Sequence, residues 1–131
     1  MEFGSFLKQK VVETKAVKNT VGDFNREKGE EMKRYRGDRT QAGAEVWVDD
    51  KPLPNRTDLR KISRDGLFEW SYVGNEPAQL ALAILAEHLD NDEEAVTLYP
   101  TFMEKVVANF DNEWEMNSTN IETALANISE Q

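Results

Sequence analysis

The chain contains no cysteine. That excludes a disulfide framework, a thiolate nucleophile and a Cys-ligated zinc, and it fits a reducing compartment. It contains one histidine, His88. A metal site needs several ligands, and a Ser-His-Asp triad would have to recruit this same residue. No Gly-x-Ser-x-Gly turn is present to raise a nucleophile. Gly37, Gly43, Gly66 and Gly74 stand isolated, matching neither a P-loop nor a dinucleotide fingerprint. No apolar run approaches the roughly 20 residues needed to span a bilayer. Met1 to Phe6 is followed by no apolar h-region, so no signal peptide is expected. The expectation is a cytoplasmic protein with no cofactor, no metal and no membrane partner.

What is there is charge, unevenly placed. The net charge is -9. Up to Asp65 there are 15 basic and 12 acidic residues, and beyond it 1 and 13, so the halves carry +3 and -12. The acidic half reads first as a solvated face. From Met32 to Asp65 nine basic residues meet six acidic ones. Lys33, Arg34, Arg36 and Arg39 lead into Trp47, then Lys51, Arg56, Arg60, Lys61 and Arg64. Basic side chains interleaved with Tyr35 and Trp47 are compatible with phosphate contact and base stacking. The acidic residues dilute the stretch, and no nucleic-acid-binding motif accompanies it.

A length of 131 residues suits one domain. Residues 1–31 scatter Phe6, Val11, Val17 and Phe24 among Lys, Glu and Gly, and read as an extension, flexible or with one helix at residues 5–19. The first five residues have the composition of a vector-derived scar. The domain proper is expected over residues 32–131. Residues 33–37 and 44–48 read as strands, the second with Val46 and Val48 on one face and Glu45 and Trp47 on the other. Asp49, Asp50 and Lys51 supply a tight turn. Residues 67–72 read as a third strand, with Phe68, Trp70 and Tyr72 at period two.

Pro77 then opens an almost wholly apolar helix over residues 77–89, with Asn75 as its cap and the character of a buried centre. Asp92 caps a second helix, which Pro100 is expected to kink or split. Residues 114–116 read as an edge strand. Thr119 and Glu122 have capping-box spacing ahead of a last helix carrying Ile121, Leu125 and Ile128. The fold class is α+β: a small antiparallel sheet of three to four strands with a helical C-terminal half, in the order β-β-β-α-α-(β)-α.

Tyr35-Arg36-Gly37, Val46-Trp47-Val48-Asp49, Phe68-Glu69-Trp70-Ser71-Tyr72-Val73-Gly74, the Pro77 helix and Leu98-Tyr99-Pro100-Thr101-Phe102 together resemble a family. It comprises short uncharacterised proteins and domains of phages, bacteria and archaea. The resemblance covers residues 32–128 and leaves the extension outside. It implies no known activity and carries no catalytic residue over; its phage association points to small accessory proteins that act by binding. Two positions depart from the family's pattern. Ser71 stands where that pattern has glycine, and Pro100 interrupts a helix that it has continuous.

The function expected is that of a non-enzymatic binding protein with a protein partner. Trp47, Trp70 and Tyr72 are its contact candidates, and Arg34, Arg36 and Arg39 its rim charges, because aromatic and arginine residues anchor interfaces. A homo-oligomer surface is compatible with the same residues. One alternative is a nucleic-acid-binding protein using the Lys33–Arg64 region. Another is a small enzyme using a carboxylate such as Glu69, which flanking aromatics could make a stronger base.

Overall fold

The computed structural model describes residues 32–129. The expected extension over residues 1–31 lies outside them. The first hairpin joins β1 (Arg34–Thr40) to β2 (Gly43–Val48), antiparallel and in the register Tyr35↔Val48 to Thr40↔Gly43. Thr40 Oγ1 accepts from the Ala42 amide at 3.0 Å inside the turn. The next turn is Asp49-Asp50, with φ of 50° and 70°. Two consecutive left-handed residues are what a tight hairpin with native strand twist requires, and aspartate is among the residues that tolerate them. The chain returns as β3 (Lys51–Pro52). Proline confines this piece to an edge. A fourth strand, β4 (Trp114–Asn117), pairs antiparallel with the other side of β1, giving the order β3-β2-β1-β4.

The element order expected from the sequence is therefore present, but its third strand is β3 and not residues 67–72. That aromatic stretch is irregular. Trp70 is fully buried while Tyr72 is exposed, so the three aromatics do not share one face. Ser71 has φ of 83°, which breaks the alternation. Its backbone partners also come from outside the sheet. The Ser71 amide donates to the Val107 carbonyl at 3.2 Å, and Ser71 Oγ to the Phe110 carbonyl at 2.6 Å.

Three helices complete the domain: α1 (Asn75–Leu89), α2 (Asp92–Lys105) and α3 (Ser118–Ser129). Every residue of α1 from Pro77 to Ala86 is buried, as its apolar composition requires. Leu80, Leu82, Ile84 and Leu85 are each fully buried, at about 1.5–3 kcal/mol of transfer free energy per side chain. They join Tyr35, Val46 and Val48 of the sheet, Trp70 and Phe102 in one core. The lone polar residue of that run, Gln79, is also fully buried.

The caps shift slightly from their expected places. Asn91, not Asp92, caps α2, its side chain accepting from the Glu94 amide at 3.1 Å. Asn117 and Asn120 cap α3 reciprocally: each side chain accepts from the other's amide, at 2.8 and 2.9 Å. This is the capping-box arrangement two residues earlier than the Thr119–Glu122 spacing suggested. Helix α2 runs through Pro100 unbroken and ends at Lys105, with Val106 as its C-cap. Pro100 is exposed, so the backbone bond it removes falls on the solvent side, where water can replace it.

Candidate functional site

The alternation of β1 divides the candidate residues between two faces. Tyr35, Gly37 and Arg39 share the parity that points to the helices, together with Val46, Val48 and Trp114. Arg34, Arg36 and Asp38 share the opposite parity with Glu45, Trp47 and Glu115. Arg34 and Arg36 are exposed and Trp47 is half-buried. The structure thus brings Trp47, Arg36 and Arg34 together on the outer face of the sheet and leaves Trp70, Arg39 and Tyr72 elsewhere.

On the outer face Trp47 lies opposite Arg36 on one side and Pro52 on the other. The Arg36 guanidinium sits 4.3 Å above the indole centroid, a cation–π contact that holds both side chains in one conformation. Arg34 forms an ion pair with Glu115 at 3.0 Å. Asp38 lies directly opposite Glu45. A shallow groove of about 340 Å³ runs along Arg36, Gly37, Asp38, Glu113, Trp114 and Glu115.

Trp70 and Arg39 form an interior clamp instead. The Arg39 guanidinium lies 4.7 Å from the Trp70 ring. It donates to Glu69 Oε1 at 3.1 and 2.8 Å and to the Trp70 carbonyl at 3.0 Å, and it also bonds the Asn112 side chain. Trp70 Nε1 donates to the Asn112 carbonyl at 3.1 Å. The Trp70 ring meets Trp114 edge-on at 5.8 Å, and Trp114 stacks on Phe110 at 4.2 Å. Trp70 is fully buried and presents no surface to a partner. Glu69 is engaged by Arg39 rather than lying free beside the aromatics.

Tyr72 is 45 % exposed, in the loop before α1. Its hydroxyl donates to Glu76 at 3.2 Å. Partial burial first, then Glu76 beside it, raise that hydroxyl above the ordinary tyrosine range. Tyr35 is fully buried, and burial, followed by the charges of Glu87 and Asp49, pushes its hydroxyl higher still. His88 is packed against α3 with Nε2 on the Glu122 carboxylate, as a structural histidine would be. Among the described residues no group of three His, Asp or Glu side chains could hold a metal ion.

Asp38, Glu113 and Glu115 were not among the residues singled out from the sequence. The signal that could have found them is the length of β1: extended to Thr40, its alternation places Asp38 beside Arg36.

The geometry of Ser71 leads to a test. With φ of 83° it occupies a region where a side chain costs about 1–2 kcal/mol. Its hydroxyl offsets part of that through Phe110. Ser71→Ala keeps the strain and loses the bond, whereas Ser71→Gly relieves the strain. We expect the glycine variant to be more stable than the alanine variant by about 1 kcal/mol in urea denaturation. Equal stabilities would mean the backbone at residue 71 is not strained.

A known family's sequence pattern matches residues 35–127, from the second residue of β1 to the last turn of α3. The chain belongs to DUF6166, a family of unknown function. No curated protein and no solved structure matches it. The DUF6166 match takes in all of Tyr35-Arg36-Gly37, the Trp47 strand, the clamp around Trp70, helices α1 and α2 and all but the last two residues of α3. The outer sheet face therefore lies within the DUF6166 unit, apart from Arg34.

Proposed function

We propose that this DUF6166 domain is a non-enzymatic binding protein that meets a protein partner through the outer face of its sheet. The observation that carries this reading is Trp47, half-exposed and held beneath Arg36 on the sheet face opposite the core. The opposite face supplies the core, so the stability of the domain does not require an aromatic residue on this side. A tryptophan and an arginine held by each other lose little freedom on binding, and these two residue types dominate interface energetics. A small accessory protein of the phage type, acting in the cytoplasm, fits such a surface.

Charge favours a protein over a nucleic acid on this face. Arg34 is paired with Glu115 and Arg36 is on Trp47, while Asp38, Glu45 and Glu113 add negative charge beside them. A phosphate backbone would meet more carboxylates than free cations. Enzymatic use of Glu69 is disfavoured by geometry, since its Oε1 already accepts two hydrogen bonds from Arg39.

The test is selection of peptides from a random library on the immobilised protein. Selected peptides are expected to lose at least tenfold in affinity for Trp47→Ala, with circular dichroism showing the variant folded. Peptides that bind the variant equally well would contradict the reading. Oligonucleotide binding that weakens steeply with salt and depends on Arg34 and Arg36 would replace it.

A further inference from the structure

We propose that the partner presents a basic segment to this face, seating an arginine or lysine in the groove beside Arg36 between Asp38 and Glu113. This rests on the reading that the outer face is the contact surface, and it adds the partner's chemistry.

The argument begins with register. Asp38 and Glu45 are directly opposed across β1 and β2, and like charges so placed destabilise a sheet. Glu113, just ahead of β4, lines the same groove as Asp38. The outer face thus carries carboxylates from three neighbouring stretches of chain at one level.

No arginine of β1 neutralises them. Arg34 is at Glu115, and Arg36 lies on Trp47. Arg39 has the opposite parity and is held by Glu69, Asn112 and the Trp70 carbonyl. Among the described residues Glu45 has only a neutral donor, Thr40 Oγ1 at 2.9 Å. Neither Asp38 nor Glu113 has an ion pair among the described residues.

The size of the missing counter-charge follows from the spacing. Cross-strand neighbours hold their Cβ atoms about 4.5–5.5 Å apart. Among the described residues no three carboxylates could hold a metal ion together, whereas a guanidinium or an ammonium on a flexible stem can reach two of them. A groove of about 340 Å³ has room for such a side chain. Trp47, one residue pair further along the strands, then offers an apolar surface to the next side chain of the same segment. A basic peptide chain supplies both contacts; a free cation supplies one. Half-buried Asp38 and exposed Glu113 on a repelling face are what a docking surface keeps at the expense of stability.

The experiment is an amide chemical-shift titration of the full chain with the pentapeptide Gly-Arg-Gly-Arg-Gly, using Gly-Glu-Gly-Glu-Gly as the control, at low salt. Shifts are expected at Asp38, Glu45, Glu113 and the Trp47 indole with the arginine peptide alone. The double variant Asp38→Asn, Glu113→Gln should bind it at least fivefold more weakly and melt at a higher temperature. Shifts spread evenly over the other acidic stretches, such as residues 90–94, would overturn the proposal, as would unchanged affinity in the double variant. The two readings separate through the library peptides. If those need Trp47 but neither Asp38 nor Glu113, the surface stands and the basic partner is wrong. If they do not need Trp47, both fall.

Discussion

Replacing Gly37 by alanine is expected to destabilise the domain by about 3 kcal/mol, at the upper end of what overpacking a core costs. A Cβ built at Gly37 would stand 2.3 Å from Trp114 Nε1 and 2.5 Å from its Cε2. No real contact is that short, so the indole must move. Trp114 is not the loose end of a flexible chain: it stacks on Phe110 and meets Trp70 edge-on. Displacing it disturbs the clamp that Asn112 and Arg39 close over Trp70. In urea denaturation the midpoint should fall sharply while the slope stays constant. Pairing the change with Trp114→Ala should give a loss well below the sum of the two single losses, because the second substitution removes the clash. Additive losses would show that Gly37 matters for some reason other than the ring above it.

Gln79→Leu is the second large loss, about 3–4 kcal/mol. The side chain is fully buried and all its hydrogen-bonding capacity is used. Oε1 accepts from the Ile62 and Ser63 amides at 2.7 and 3.1 Å. Nε2 donates to the Asn55 and Arg60 carbonyls at 2.8 and 3.1 Å. One amide on α1 therefore holds down the loop between β3 and α1, which has no strand or long helix of its own. Leucine keeps the volume and strands four backbone groups, each costing about 1–3 kcal/mol where water cannot replace the partner. The loop carries Arg56, Arg60, Lys61 and Arg64, so trypsin reports its release directly. Cleavage after these residues should accelerate at least tenfold under native conditions. An unchanged cleavage rate together with an unchanged midpoint would show that the loop is held by other contacts.

Gln79 also illustrates what the sequence conveyed and what it did not. A glutamine within Pro-Ala-Gln-Leu-Ala-Leu-Ala-Ile-Leu is visible as the one polar residue of a buried helix. Its four partners lie 16 to 24 residues away in a stretch without periodicity, so nothing local names them. Helix α1, the Ala44-to-Val48 alternation and the Asp49-Asp50 turn were legible because each depends on neighbours in the chain. Residues 67–72 misled for the same reason. Period-two aromatics favour a strand, but the hydrogen bonds of Ser71 go to Val107 and Phe110, and that long-range pairing decided the conformation. The contact candidates were legible by residue type and not by face. Parity in β1 joins Arg36 to Trp47 and turns Arg39 inward, and that parity became readable only once the strand's full extent was known.

The claim on which the functional account depends is that partners meet the outer sheet face rather than an exposed apolar loop among the described residues, the one carrying Tyr72 and Val73 (45 % and 62 % exposed). The direct measurement is an amide and indole chemical-shift map of the protein bound to its tightest library-selected peptide. The account predicts that the largest shifts fall on Arg34, Arg36, Asp38, Glu45, Trp47 and Glu115, with α1 and the Tyr72 loop unmoved. A map centred on Tyr72 and Val73, with the Trp47 indole unchanged, would contradict it.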